Sequence, residues 1–188
     1  MILFFQKLAL KARFVGILIA LLLFIAAGSL LTNSPEGIAQ LRQISGGHGL
    51  LEENLWISPL QARQLFVSWG ASGVNWYMTT GFWLSALLPL TAAGLFMMIF
   101  LYFLKKINPR SSGWYLSPLL PLSAGAVSLL QILSELLLAL FQPPSEVFYY
   151  PGVVLLTGSW VLWAVSGVML LYFLGWHLLQ RGRRVIHQ

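Results

Sequence analysis

The sequence predicts an all-α integral membrane protein: a four-transmembrane-helix bundle with a ~50-residue exoplasmic loop that carries short amphipathic, interfacial helices. Three observations predict it. The 188 residues are 58% hydrophobic and only 9% charged, against roughly 25% charged in soluble chains, and the mean hydropathy is +0.79. Apolar runs at residues 14–31, 83–104, 117–141 and 151–174 are each long enough to cross a bilayer. Lys and Arg gather beside these runs and leave them free of basic charge. The length suits one membrane domain over residues 1–188.

Lys7, Lys11 and Arg13 precede the first run, which at 1.5 Å per residue spans about 27 Å. A basic start, an apolar stretch and Ala26-Ala27-Gly28 also fit a cleavable signal peptide. The apolar character continues through Leu30 and Leu31, so the expectation is a retained anchor.

Residues 32–82 form the long loop. Ser34-Pro35-Glu36 reads as a helix start: a hydroxyl cap, Pro at the first helical position, and an acid at the positive end of the dipole. Ile38, Leu41 and Ile44 follow at helical spacing, so a short amphipathic helix is expected over 35–44. Ser45-Gly46-Gly47-His48-Gly49 breaks it. Ser58-Pro59 starts another helix, expected to reach about Trp69. Trp56, Phe66, Trp69, Trp76, Tyr77, Phe82 and Trp83 make the region aromatic, which suggests a segment lying at the headgroup level.

The second span carries Pro89, which is expected to kink it. Lys105, Lys106 and Arg110 mark the next short loop. The third span starts near Pro118 and Pro121 and ends at Pro143-Pro144. The fourth ends in Trp176 and His177, with Arg181, Arg183 and Arg184 beyond. Nine of the eleven Lys and Arg thus flank one side, and Arg42 and Arg63 alone lie on the other. This asymmetry predicts cytoplasmic termini and an exoplasmic long loop. The compactness suggests a bacterial inner membrane.

The net charge of +6 does not point to nucleic acid, because topology already explains where the basic residues sit. With no cysteine, disulfides, thiolate metal sites and a cysteine nucleophile are excluded. No phosphate loop or dinucleotide fingerprint occurs, and Gly70-Ala71-Ser72-Gly73 lacks the second glycine of a nucleophile elbow.

Glu135 is the acid that stands out. It lies inside the third span, about 9 Å along the helix from Phe141. An intramembrane carboxyl is costly and marks a functional site by default. Gly125, Ser128, Gln131 and Glu135 share one helical face. Hydrogen bonds to Gln131, or to Thr157 or Ser159 of the neighbouring span, would make Glu135 structural instead. The spans hold no Lys, Arg or second acid, which argues against a proton relay.

His48 and Glu52 would form an i, i+4 pair if residues 49 onward were helical, a weak candidate for a catalytic base with an orienting acid at the membrane surface. His177 is at the far side of the membrane and His187 in the tail, so His48 and His177 cannot share one haem. No metal site and no cofactor is expected. Trp160 and Trp163 lie deep in the fourth span, away from the usual aromatic belt, and suggest contact with another protein or a lipid.

Three functional readings follow. The first is a non-enzymatic accessory or assembly subunit of a larger inner-membrane complex, with other membrane subunits and lipids as partners. The second is a small transporter component or carrier of a lipid-like molecule, with a polar site around Glu135, Gln131 and Ser128. The third is a membrane enzyme acting on lipid head groups through His48 and Glu52.

Overall fold

The computed structural model describes residues 1–109, 111–142 and 145–186, with side chains described through Gln180. Arg110, Pro143, Pro144, His187 and the side chains of Arg181, Arg183 and Arg184, which enter the charge count and the helix-end readings, lie outside the described residues.

The described residues form helices and no strand. The long ones are α1 (Ile2–Lys11), α2 (Phe14–Asn33), α3 (Ile38–Ile44), α4 (Pro59–Trp76), α5 (Phe82–Ile107), α6 (Leu119–Phe141) and α7 (Tyr150–Ile186). Four stretches, containing α2, α5, α6 and α7, are long and apolar enough to cross a membrane. Helix α5 is the hub: it packs against α2, α6 and α7, and α6 lies along α7. Helix α2 rests on α5 and α3 and makes no extended contact with α7. Helices α5 and α6 approach closely at Gly125, where a Cβ would sit 2.8 Å from the Ala93 methyl and 3.3 Å from the Pro89 carbonyl. Small residues make such approaches possible.

Two apolar cores divide the molecule. One, at the end where both termini lie, joins α1 to α5 and α7 through Phe5, Ala9, Phe100, Leu104 and Phe173. The other, at the loop end, gathers Leu41, Leu51, Phe66, Trp69, Tyr77 and Tyr149.

The loop folds differently from its sequence reading at three points. Ser34 does not cap a helix over 35–44. Helix α2 runs on to Asn33, the Ser34 hydroxyl donates back to the Leu30 carbonyl at 2.6 Å, and α3 starts only after Gly37. The Ser58 start is a full capping box with Gln61, but the helix does not stop near Trp69. Gly70 takes a left-handed conformation (φ 57°) that interrupts the helix, which then resumes to Trp76 and passes through a single π turn, Tyr77–Gly81, into α5. Trp69, Trp76 and Tyr77 do not sit at a surface. They are buried in the loop-end core, because their polar atoms find partners inside: Trp69 Nε1 donates to the Gly49 carbonyl at 3.1 Å and Trp76 Nε1 to the Glu36 carbonyl at 2.9 Å.

Candidate functional site beneath the loop

Glu135 is fully buried on α6, and its two oxygens are held from two directions. Gln131, one turn earlier, donates to Oε1. The Tyr77 hydroxyl, from the π turn that leads into α5, donates to Oε2 at 2.9 Å, with the Ile132 carbonyl also near at 3.4 Å. The helical spacing of Gln131 and Glu135 brings the first contact about directly. The π turn supplies the second, since such an inserted residue re-aims side chains and recurs at functional sites. Thr157 and Ser159 do not reach Glu135: each bonds a carbonyl of its own helix, Val153 and Leu156 respectively.

A cavity of about 440 Å³ adjoins this group. Its walls come from α2 (Phe24, Leu31), α5 (Leu88, Phe96), α6 (Gln131, Ile132) and α7 (Leu156, Trp163), and the loop roofs it with Leu50, Glu52 and Glu53. Most of the wall is apolar. Polar atoms come from Ser85, Ser128, Gln131, Ser159 and the two loop carboxyls. Glu135 does not line the hollow, but its partner Gln131 and the neighbouring Ile132 do. On the α7 side, Trp163 Nε1 donates to Ser128 Oγ at 3.1 Å, and Trp160, 40% exposed, lines the cavity while reaching the molecular surface.

Glu52 enters this hollow from the 3₁₀ turn Leu51–Glu53. As a residue it is half-buried, yet its Oε2 is fully enclosed and makes no hydrogen bond. Burial, chiefly, pushes its carboxyl up to about 7, and the neighbouring Glu53 charge adds to this; its own backbone amide and the nearby Ser85 hydroxyl pull the other way. The Ser85 hydroxyl comes close enough to act on Glu52 as a hydrogen-bond donor, but the approach is not of ordinary hydrogen-bond geometry. Glu53 is balanced by Arg42, which donates to its Oε1 at 2.7 Å. Glu52 and Glu135 also lie within electrostatic reach of one another. The spans themselves hold no second acid, as the sequence indicates, but the fold brings one to Glu135 from the loop, 83 positions away in sequence (135 − 52).

The structure brings five of the sequence-derived residues into this region: Glu135, Gln131, Ser128, Trp160 and Trp163. Glu52 joins them, without His48. His48 is exposed in the bend after α3, where its carbonyl accepts from the Ser45 hydroxyl. No hydrogen bond joins it to Glu52 among the described residues. His177 packs against the Phe103 ring at 5.9 Å, at the termini end. No group of three or more His, Asp or Glu able to hold a metal occurs among the described residues.

Tyr77 and Ser85 are the site residues that sequence reasoning passed over. For Ser85 a signal existed: Pro89, four residues later, has no N–H to give the Ser85 carbonyl. For Tyr77 none did, because its contact depends on the π turn.

Among the described residues these features define an all-helical protein with four helices long and apolar enough to cross a membrane, an apolar hollow and a group of carboxyls beside it. No protein-family model, curated protein or solved structure matches the chain. The roles of its residues rest on their chemistry and geometry.

Proposed function

We propose that the protein is a membrane-resident binding protein for an amphipathic small molecule, acting as a carrier or as a transporter component, and that the ligand sits in the cavity under the loop. The observation that carries this reading is the cavity itself. Its volume, about 440 Å³, falls in the 300–1,000 Å³ range of small-molecule sites, and an apolar wall with a few convergent polar groups is the usual form of such sites. The lack of extended contact between α2 and α7 favours entry from the side, out of the bilayer. With the termini cytoplasmic, as the Lys and Arg asymmetry predicts, the cavity faces the exoplasmic leaflet of a bacterial inner membrane, and the ligand is a lipid-like molecule of that leaflet. Glu135, Gln131 and Tyr77 brace the wall that receives it.

The accessory-subunit reading stands second. It draws on α2, whose apolar window is only 11% buried, against 44% for the third stretch. Such a face suits contact with another membrane protein as well as lipid.

One experiment separates the two. The chain is extracted in mild detergent and analysed by native mass spectrometry, alongside Ala92→Phe, which fills the cavity wall. The carrier reading expects a small molecule retained by the wild type and lost from the variant, with the chain otherwise alone. A defined complex with other chains and no retained molecule would establish the subunit reading instead.

A further inference from the structure

We infer that the cavity selects an amphiphile with a protonated amine head, which docks on Glu52 and Ser85 while its chain lies among Phe24, Leu88 and Phe96. This rests on the binding role proposed above and names the ligand's chemical class.

Four observations carry it. First, two enclosed oxygens in the cavity wall, Glu52 Oε2 and Ser85 Oγ, have no hydrogen-bond partner of ordinary geometry beyond the approach of the Ser85 hydroxyl to Glu52, and Ser85 is only 2% exposed. Buried polar atoms are normally paired, so an unsatisfied pair in a cavity wall marks groups that a ligand's donor would satisfy. Second, the missing partner is a donor. Ionised, the Glu52 carboxylate only accepts, and Pro89 deprives the Ser85 carbonyl of its helical donor as well. Third, the charge is unbalanced. Of the two loop carboxyls lining the cavity, Glu53 has Arg42 and Glu52 has no cation. Among the described residues no Lys, Arg or His lines the cavity. Fourth, the remainder of the wall suits a hydrocarbon chain, and the Trp160 and Trp163 rings near its α7 side add faces that attract ammonium groups. An ammonium N–H bound to an ionised carboxylate makes the stronger, charge-assisted kind of hydrogen bond.

The groups that act on Glu52 are Glu53 on the same turn, Arg42 on α3 through Glu53, Ser85 on α5, Glu135 on α6 and Tyr77 on the π turn. None of the cavity residues of α2 or α7 is titratable. Glu52 with its carboxyl near 7 is mostly neutral at pH 5.5 and mostly ionised at pH 8.5, so amine binding strengthens across that interval.

The test uses the full chain in phosphatidylcholine nanodiscs, with empty nanodiscs as the blank. Saturable binding of radiolabelled dodecylamine and of dodecanol is measured at pH 5.5 and 8.5, for the wild type, Glu52→Gln and Ser85→Ala. The expected result is a preference for dodecylamine of about ten-fold or more at pH 8.5, a scale set by one charge-assisted hydrogen bond. That preference shrinks at pH 5.5, is absent in Glu52→Gln and is reduced in Ser85→Ala. Saturable binding of dodecanol equal to dodecylamine, or a preference unmoved by pH, overturns the amine assignment and leaves the binding role intact. No saturable binding of either overturns both. The pH arm uses the wild type alone, so a poorly folding variant does not spare the inference.

Discussion

At the termini end, Phe100 and Phe173 meet edge-to-face at 5.5 Å, and Trp114 stacks on Tyr172 at 5.5 Å with 13° between the rings. Phe5 and Ala9 of α1 close the gap against α5. The polar contribution there is slight: Lys105 Nζ donates to the Ala12 carbonyl at 3.0 Å, where the chain turns from α1 into α2, and Lys106 lies over the Tyr102 ring at 5.6 Å. At the loop end, the core includes Glu135, Gln131 and Tyr77, and beside them lies a hollow with unpaired oxygens. One end is filled with rings and the other keeps a space. Dense aromatic packing maximises contact and gives a single arrangement. A partly satisfied polar hollow stabilises less, and is the kind of compromise expected at a working site.

Four predictions press on that contrast. The largest effect belongs to the filled end. Phe100→Ala removes a wholly buried ring and is expected to destabilise by about 3–5 kcal/mol, seen as a drop in thermal midpoint, with amphiphile binding by the surviving folded protein unchanged. A loss of binding out of proportion to stability would erase the division between the ends.

Next comes the pH response of the hollow end. Glu52 in the folded chain holds its proton up to about 7, whereas the ordinary value is 4.5. Between those two values the folded form binds more protons than the unfolded one, so stability falls as pH rises through that window and levels off above it. The change is on the order of 3 kcal/mol across the window. Tryptophan-monitored melting at pH 5 and pH 8 should show it, and Glu52→Gln should flatten the profile. An unchanged slope in that variant would place the titrating group elsewhere.

Tyr77→Phe is third. It removes the donor to Glu135 Oε2 and leaves a buried acceptor unpaired, at about 1–3 kcal/mol. A variant as stable as the wild type would mean that Gln131 alone satisfies the carboxyl. The smallest is Trp163→Phe, which loses the hydrogen bond to Ser128 at about 1 kcal/mol. Its melting point should barely move while amphiphile affinity changes, because the ring lines the cavity. The reverse pattern would make Trp163 a packing residue only.

Much of this was legible in the chain itself. The apolar runs foretold the four long helices because a crossing segment must be long and uncharged. The spacing of Gln131 and Glu135 foretold their contact because α-helical geometry is local. Ser58-Pro59 announced a helix start for the same reason, and the structure closes it with a capping box to Gln61. The site's other half was not legible. In the sequence Glu52 stands out only as the acid paired with His48 at the membrane surface, and its burial exists only because α3 and the following turn fold over the helices. Tyr77 reads as an interfacial aromatic, and only the π turn rotates its hydroxyl onto Glu135.

The sequence by itself determined the class of molecule: four helices long and apolar enough to cross a membrane, and one carboxyl on the third of them. Hydropathy and helical periodicity are properties of neighbours along the chain and need no fold to be read. The tertiary structure alone decided that a loop acid and an acid of the third apolar helix come within electrostatic reach of one another, and that a hollow lies between α2 and α7. Both depend on contacts across dozens of residues, and on packing that leaves a gap where side chains fail to meet, which no local pattern encodes.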